Sequence, residues 1–247
     1  MGRLQNKVAL VTGAGRGIGK EIALKLASEG AHLIVHYASS HTGADEVVKA
    51  IVAMGGKAVA CKADIQDINQ VKSLFDKIDT VAGGKLDIVV NSSGISGGGT
   101  LSELNIDDMN CMLGINLCGP VYIASEAAKR LGEGGRIINL GSTLGEFPVG
   151  GDGIYSATKV AIKSLTQSWS KELGKKGVTV NTVIPGATSP GMMDSAPEQY
   201  LSFFENASPF GRIGKASEIA SVVAFLASEE ASWVSGAHIL ANGAANT

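Results

Sequence analysis

Short apolar runs alternate with segments of helical periodicity along the chain. The apolar runs have the length of buried strands, and they span residues 8–12, 33–37, 58–64, 86–91, 136–140, 178–183 and 238–240. Between them, apolar residues recur every three or four positions, as in helices with one buried face, over residues 17–28, 47–54, 68–78, 106–131, 154–173 and 217–226. This alternation predicts an α/β protein with a doubly wound parallel sheet, the Rossmann fold.

We predict a single domain over residues 1–247, because no linker or internal repeat interrupts the alternation. A Gly-Pro pair at 119–120 lies within the predicted helix 106–131, and we expect a kink there. Ser217 is expected to cap the start of the last helix. The least regular stretch, about 185–214, is interpreted as a lid over a site.

The composition is that of a folded protein with an aliphatic core. Hydrophobic residues make up 45% of the chain, aromatic residues only 5%, and 33 residues are glycine. The net charge of −2, without a long charged run, argues against a nucleic-acid partner. No apolar run is expected to reach the roughly 20 residues of a membrane span, and the first residues lack a signal-peptide core. Three cysteines without metal-ligand spacing complete the picture of a cytoplasmic protein with no metal and no membrane partner.

A glycine-rich turn joins the first predicted strand to the first predicted helix. Glycines there permit a tight turn and let backbone N–H groups approach a pyrophosphate at the start of the helix. The residues of this predicted cradle are Gly13, Gly15, Arg16, Gly17, Ile18 and Gly19. Because strand, turn and helix occur together, the pattern predicts a dinucleotide site.

The end of the second predicted strand indicates which dinucleotide binds. An NAD site usually carries an acidic residue there, whereas this chain has no acid before Asp45. Arg16 can pair with a 2′-phosphate, and serine hydroxyls can donate to it. The pattern favours NADP(H), although a solvated arginine beside a serine-rich loop would look the same. The predicted contact residues of this loop are Tyr37, Ala38, Ser39 and Ser40.

Tyr155 and Lys159 stand four residues apart at the start of the helix that follows the fifth strand. Residues at this spacing share one helix face, so the ammonium is held close to the phenol. A free phenol has a pKa of about 10, and a nearby cation lowers that pKa, so the tyrosine can exchange a proton near neutral pH. An ordinary amphipathic helix can carry the same pair, and the rest of the chain decides between the two interpretations.

In the order of its motifs, the chain resembles the short-chain dehydrogenase/reductase family over essentially its whole length. The matching residues are Thr12 to Gly19, Asp64, Asn91 to Gly94, Asn116, Ser142, Tyr155, Lys159 and Pro185-Gly186. Each motif alone is weak, whereas the ordered set is specific. The resemblance implies an NADPH-dependent oxidoreductase that reduces the carbonyl group of a small-molecule substrate.

The resemblance also implies roles for individual residues. Tyr155 would protonate the carbonyl oxygen during reduction, and Ser142 would position that oxygen through a hydrogen bond. Lys159 would lower the pKa of Tyr155 and bind the nicotinamide ribose, while Asn116 would hold a water that resupplies protons. The rest of the cofactor groove would be lined by Asp64, Ile65, Asn91, Ser92, Gly94, Pro185, Gly186 and Thr188.

The chain departs from the family pattern at a few places. Pro190 stands where many members have a threonine that contacts the nicotinamide amide, and Thr188 is the nearby candidate for that contact. Serines at 92 and 93 replace Asn-Ala, and their small size should preserve the turn. Near the C-terminus, residues 242–244 read Asn-Gly-Ala instead of Asp-Gly-Gly, which bears on subunit contacts.

The substrate is less constrained than the chemistry. Residues near the predicted site suit an apolar or aryl ketone, or else pack a lid; they are Leu144, Glu146, Phe147, Met192, Met193, Tyr200, Phe203 and Phe204. A basic set could instead receive an acidic acyl-carrier protein and make the chain a 3-oxoacyl reductase; it comprises Lys129, Arg130, Lys175 and Lys176. An NADP(H) sensor without turnover is a third interpretation. The resemblance further implies a homotetramer, with helix 106–131 and the Tyr155 helix in one interface and the last strand in another.

Overall fold

The computed structural model describes residues 2–195 and 198–245. The strands are β1 (Val8–Val11), β2 (His32–Tyr37), β3 (Lys57–Lys62), β4 (Ile88–Asn91), β5 (Arg136–Leu140), β6 (Thr179–Pro185), β7 (Thr188–Ser189), β8 (Gly214–Lys215) and β9 (His238–Ala241). Seven of them form one sheet in the order β3-β2-β1-β4-β5-β6-β9, with every neighbouring pair parallel. This confirms the predicted single-domain, doubly wound Rossmann fold.

Helices cover both faces of this sheet. They are α1 (Gly17–Ser28), α2 (His41–Ala53), α3 (Ile68–Ala82), α4 (Ile106–Leu113), α5 (Gly119–Ala128), α6 (Gly153–Leu173), α7 (Glu198–Ala207) and α8 (Ala216–Ala227). Successive strand residues point to opposite layers: Ala9 and Val11 pack with α1, α2 and α8, whereas Val8 and Leu10 pack with α3 and α5. The sheet is therefore buried on both faces, which explains its continuous apolar runs.

The predicted helix 106–131 is broken into two pieces. A π-helical turn, Gly114–Cys118, separates α4 from α5, and Pro120 lies in the first turn of α5, where its missing N–H is tolerated. The irregularity therefore lies one turn before the predicted kink at 119–120. Helix α5 also ends at Ala128 rather than at residue 131.

The start of α8 differs from the predicted cap. Lys215 occupies the N-cap position rather than Ser217, and the Glu218 carboxylate accepts a hydrogen bond from the Lys215 backbone N–H at 2.7 Å. Arg212 holds the same carboxylate at 2.7 Å. The acid three residues into the helix thus satisfies a free backbone donor, which the serine was expected to do.

The segment 185–214, expected to be irregular, contains regular elements. Strands β7 and β8 pair with each other in a second, two-stranded parallel sheet, and α7 lies between them in the chain. Strands of two residues leave no periodicity in a sequence, which is why the pattern missed them.

One helical stretch passes the length and composition test for a membrane span. It is Ile106–Ala128, with 23 residues and a mean hydropathy of 1.2, so the expectation that no apolar run approaches this length does not hold. The π turn interrupts the stretch, and Glu126 within it is buried and paired with Lys129 and Arg130. Of its most apolar window, 44% is buried within the protein.

Candidate active site

The predicted site residues gather at the carboxyl edge of the main sheet. The turns after β1, β4, β5 and β6 leave this edge side by side, because these strands are parallel neighbours. The chain order reverses between β1 and β4, since β2 and β3 lie on one side of β1 and the later strands on the other. The crevice at such a switch point is where open parallel sheets bind ligands.

The glycine-rich turn between β1 and α1 leaves no room for side chains. A Cβ on Gly19 would lie 2.4 Å from the carbonyl oxygen of Gly13, and a Cβ on Gly15 would lie 3.0 Å from the carbonyl oxygen of Ser40. Gly13 and Gly17 adopt φ angles of 65° and 54°, which favour glycine. The turn runs directly into α1, so its backbone N–H groups and the helix N-terminus form one donor surface.

The predicted 2′-phosphate residues lie around this turn. Arg16 is exposed and sits just before α1 in extended backbone. Ala38 and Ser39 are exposed, and Ser40 is half-buried against Gly15. The loop after β2 therefore meets the glycine turn, which brings its serines to the cradle.

The other residues near the glycine turn make contacts with neighbouring side chains of the protein. Tyr37 is buried and its ring stacks on His41 at a centroid distance of 5.4 Å. Asp45, the first acid after β2, pairs with His41 at 3.4 Å. Ile18 packs against the core beneath α1.

Asp64 and Ile65 follow β3 at the same edge. The Asp64 carboxylate accepts a hydrogen bond from the Gln66 backbone N–H at 3.0 Å, and the Asp64 N–H donates to the Gln70 side chain at 2.9 Å. Ile65 is buried and closes on Gly119, where a Cβ would lie 2.6 Å from its Cδ1 atom. These contacts fix the floor of the groove beyond β3.

The turn after β4 is tied to β1. The Thr12 hydroxyl accepts hydrogen bonds from the backbone N–H groups of Ser92 and Ser93, both at 3.0 Å. The Asn91 side chain donates to Asn139 on β5 at 2.9 Å. The serines that replace the usual residues therefore sit in an ordered turn, bonded through their backbone alone in these contacts.

Asn116 lies in the π turn and is buried beside the loop after β4. Its amide oxygen accepts from the Ile95 N–H at 2.9 Å, and its amide nitrogen donates to the Ile95 carbonyl at 2.8 Å. A Cβ built on Gly94 would lie 3.4 Å from this amide oxygen and 3.6 Å from the Lys159 nitrogen. Asn116 and Lys159 thus border the same point of the groove.

Tyr155 and Lys159 lie on one face of α6, as predicted, and both are buried. The Lys159 Nζ atom is 5.5 Å from the centre of the Tyr155 ring and donates to the Leu140 carbonyl at 3.1 Å. Ser142, which follows β5, lies close enough to Tyr155 for its side chain to lower the Tyr155 pKa. Three of the four predicted catalytic side chains therefore lie close together, and Asn116 lies next to them.

Burial controls the acidity of this group. It raises the pKa of Tyr155; the Ser142 side chain opposes this effect and the Asp152 carboxylate adds to it. Burial also lowers the pKa of Lys159 to about 8. The pKa of Tyr155 is therefore raised overall, and the lowering expected from Lys159 is not among the effects that shift it.

The turn after β6 completes the crevice. Pro185 ends the strand, and Gly186 donates its N–H to the Ala241 carbonyl at 3.2 Å. Thr188 is buried in β7 opposite Gly214, where a Cβ would lie 3.1 Å from the Thr188 methyl group. Its methyl group is thus packed against β8, and a contact of Thr188 with nicotinamide stays a prediction.

The segment after β7 leans over the glycine turn. A Cβ on Gly17 would lie 3.2 Å from the Cα atom of Gly191. The Asp194 carboxylate holds this segment by accepting hydrogen bonds from the Ser189 hydroxyl at 2.7 Å and the Gly191 N–H at 2.9 Å. The predicted lid therefore touches the cradle at its base.

A cavity of about 580 Å³ adjoins the Ser142 loop. Leu144 and Phe147 line it, as do the predicted Phe203 and Phe204. Glu146 instead pairs with Lys163 at 2.5 Å. Met192 is exposed and Met193 half-buried, and neither lines the cavity. Tyr200 lies outside the residues whose side chains the structure describes.

The cavity also contains residues that sequence reasoning missed. Phe210 and Leu240 belong to its wall, together with residues 241–245. No local motif marks them, because they reach the Ser142 loop only through the packing of β8, α8 and β9. Asp152, which acts on Tyr155, was missed although its position three residues before Tyr155 is a readable signal.

Comparison with known proteins gives a consistent family. A family model described as "Enoyl-(Acyl carrier protein) reductase" matches residues 13–245. A probable tetrahydroxynaphthalene reductase of Zymoseptoria tritici is 40% identical over 257 aligned positions, which cover 98% of this chain and 96% of that protein. The match extends over the whole domain rather than over one motif.

Solved structures agree with this similarity. A short-chain dehydrogenase from Burkholderia cenocepacia J2315, in complex with NADP, is 38% identical with a TM-score of 0.93, covering 99% of this chain and 100% of that one. The angucycline C-6 ketoreductase LanV, with bound NADP, is 37% identical with a TM-score of 0.93, covering 98% and 96%. At this identity and coverage, both the fold and the family are shared.

Proposed function

The chain belongs to the short-chain dehydrogenase/reductase family, and we propose that it is an NADPH-dependent reductase that converts a ketone into a secondary alcohol. The observation that carries the proposal is the buried Tyr155 with the Lys159 nitrogen over its ring and Ser142 beside it, at the same sheet edge as the glycine turn. One group there can give a proton to a carbonyl oxygen, next to a surface suited to a dinucleotide.

The groove fits NADP(H). Neighbouring backbone atoms already occupy the space that a Cβ would need at Gly15 and Gly19. Without side chains, these positions can present only backbone N–H donors to a pyrophosphate. Arg16, Ser39 and Ser40 would hold the 2′-phosphate, since no acid follows β2 before Asp45. The adenine would lie beside Asp64 and Ile65, and the nicotinamide half would run along Asn91, Ser92, Gly94, Tyr155, Lys159, Pro185, Gly186 and Thr188.

The chemistry divides between cofactor and chain. When bound, NADPH supplies the hydride for ketone reduction. Tyr155 donates the proton to the carbonyl oxygen, and its raised pKa keeps that proton in place at neutral pH until reduction. Ser142 donates a hydrogen bond to the same oxygen and fixes its position.

Lys159 and Asn116 serve the proton supply. With a pKa lowered to about 8, Lys159 can both hold and release a proton near neutral pH. Asn116 is fixed by both backbone groups of Ile95, and we propose that it holds a water next to Lys159. In the reverse reaction the positive nicotinamide and Lys159 together would favour the Tyr155 phenolate.

An aryl ketone of the polyketide type is the substrate class that we favour. Four phenylalanines, at 147, 203, 204 and 210, line the cavity beside the Ser142 loop, and flat aromatic surfaces suit polycyclic ligands. The naphthalene reductase and the angucycline ketoreductase reported above are named for substrates of this kind. Leu144 lines the same wall.

Two residues of the basic set that would suit an acyl-carrier protein are paired with acids. Lys129 and Arg130 pair with Glu126, and Arg130 also pairs with Asp79. Lys176 donates to the Ala128 carbonyl at 2.9 Å. Charges engaged in this way offer little attraction to an acidic partner, so 3-oxoacyl reduction is the second candidate.

NADPH consumption against a substrate panel tests the proposal. The panel contains hydroxylated naphthalenones, aryl diketones, keto esters and 3-oxoacyl thioesters, each with wild type and Tyr155→Phe. We expect the aromatic ketones to be reduced with the highest kcat/KM, and only by the wild type. The thioesters being reduced fastest would favour the second candidate, and NADPH binding without turnover on any ketone would favour a sensor.

A further inference from the structure

His36 is a fully buried histidine that the proposed mechanism does not use. It lies in β2, and its ring fills the space between the glycine turn after β1 and the end of β3. Its Nδ1 atom is 3.3 Å from the backbone N–H nitrogen of Gly13, and its Nε2 atom is 3.1 Å from the Ala63 carbonyl oxygen. The ring therefore bridges three neighbouring strands at the cofactor edge.

The two partners determine the protonation of the ring. A backbone N–H can only donate, so Nδ1 must accept from Gly13 with a free lone pair. A carbonyl oxygen can only accept, so Nε2 must carry the hydrogen that faces Ala63. Both bonds are satisfied only by neutral imidazole in its Nε2–H form. The backbone carbonyl of His36 in addition accepts from the Ala14 N–H at 2.9 Å.

We propose that His36 is a positioning residue for the dinucleotide turn, and that its neutral ring holds Gly13 in the geometry that receives a pyrophosphate. On the β4 side Gly13 lies close to the Ser93 backbone, since a Cβ built on Gly13 would lie 3.0 Å from the Cα atom of Ser93. Ser93 is itself bonded to Thr12. His36 on one side and the Ser93 turn on the other thus confine the first residue of the cradle.

Protonation would break this arrangement. An imidazolium would turn a second N–H toward the Gly13 N–H, donor against donor, inside a buried site. The charged group that faces the ring is Asp64, after β3, while the β1–α1 turn and β2 face it with backbone groups. Burial lowers the pKa of His36 to about 4, so the ring stays neutral at physiological pH and cofactor affinity falls on the acid side.

NADPH titration followed by cofactor fluorescence, between about pH 4 and pH 8, tests this role without turnover. His36→Leu keeps an apolar side chain but leaves the Gly13 N–H unpaired, so NADPH should bind about tenfold more weakly or worse. His36→Asn places an amide oxygen near the position of Nδ1, where it can accept from the Gly13 N–H, so it should bind NADPH within about threefold of wild type. Because an amide does not titrate, the wild-type loss of affinity as pH falls toward about 4 should be reduced in His36→Asn.

His32, at the start of the same strand and half-buried at the opposite edge, supplies the matched control His32→Asn, which should leave NADPH affinity unchanged. Ring nitrogen NMR of the wild type adds a check that needs no variant, since it should show the Nε2–H form. The role is overturned if folded His36→Leu binds NADPH as wild type does, if His36→Asn fails to restore binding, or if the ring is in the Nδ1–H form. The inference rests on the proposed NADP(H) site: a wild type that binds no NADPH would contradict that site, whereas equal binding by wild type and His36→Leu would contradict only the role of His36.

Discussion

At the residue scale, the chemistry depends on how a buried phenol keeps and gives up its proton. Burial raises the pKa of Tyr155 and lowers that of Lys159 to about 8, because a dry site disfavours the charged form of each group. The Ser142 side chain acts in the opposite direction on Tyr155. The pKa of Tyr155 is thus set by its burial near the start of α6 and by the side chains beside it.

Asp152 gives a direct test of this electrostatic balance. Its carboxylate raises the pKa of Tyr155, because a nearby negative charge disfavours the phenolate. Asp152→Asn should therefore lower the pKa of Tyr155. Alcohol oxidation needs the phenolate, so the rising limb of its pH profile with NADP⁺ should move to lower pH. Asp108→Asn, on the exposed surface of α4, should not move the limb; a shift of Asp152→Asn to higher pH would contradict the assignment.

Arg16 carries the preference between cofactors. Its guanidinium is exposed beside the glycine turn, and a pairing with a 2′-phosphate is charge-assisted. Arg16→Ala should weaken NADPH binding by about tenfold or more and leave NADH binding unchanged. Titration of both cofactors checks this, with Lys20→Ala in the next turn of α1 as the cation control. If Arg16→Ala weakened the binding of NADPH and NADH equally, Arg16 would not recognise the 2′-phosphate.

At the scale of elements, the sequence predicted what periodicity can reveal and missed what depends on tertiary contact. Helix α1 and strand β5 begin and end at the predicted residues, because their apolar patterns are bounded by glycines and charges. The π turn around Asn116 was missed, since one extra residue per turn leaves the local composition unchanged. The bridge from His36 to Gly13 and Ala63 exists only once β1, β2 and β3 are neighbours.

The contribution of the α8 cap to the stability of the protein can be measured. The Glu218 carboxylate accepts from the Lys215 N–H and pairs with Arg212, and these bonds lower its pKa to about 2. Glu218→Gln should cost about 1 kcal/mol and lower Tm by about 2–4 °C at neutral pH. Because the folded-state pKa lies below the unfolded value, this stability is present above about pH 4.5 and is lost as pH falls toward 2. Thermal melts of Glu218→Gln check this prediction, with Glu205→Gln as the exposed control. A Tm of Glu218→Gln equal to that of the wild type would contradict the role of this cap.

At the scale of the whole molecule, exposed apolar side chains occur on the two surfaces expected to form subunit interfaces. Val160 on α6 and Ile106 on α4 are 48% and 56% exposed, and Trp233 and Leu240 near the free edge of β9 are 98% and 45% exposed. Monomers rarely leave such residues together in solvent. We propose that these two surfaces are the interfaces of a homotetramer with closed symmetry.

Light scattering at micromolar concentration tests this assembly. The wild type should be a tetramer, and Val160→Asp and Leu240→Asp should each yield dimers, because each places an unpaired charge in one interface only. Val52→Asp on α2, a similarly exposed valine at 57%, is the matched control and should stay tetrameric. A monomeric wild type would contradict the proposed assembly.

The central claim is that Tyr155 delivers the proton, and Tyr155→Phe tests it most directly. The variant keeps the ring under Lys159 and removes only the hydroxyl beside Ser142. With an aromatic ketone that the wild type reduces, we measure single-turnover NADPH oxidation together with NADPH affinity. The account predicts NADPH affinity within about twofold of wild type and a rate lower by roughly 10² or more, the scale of lost general acid catalysis. A rate close to that of the wild type would mean that the proton comes from another group, and the mechanism proposed for this site would be wrong.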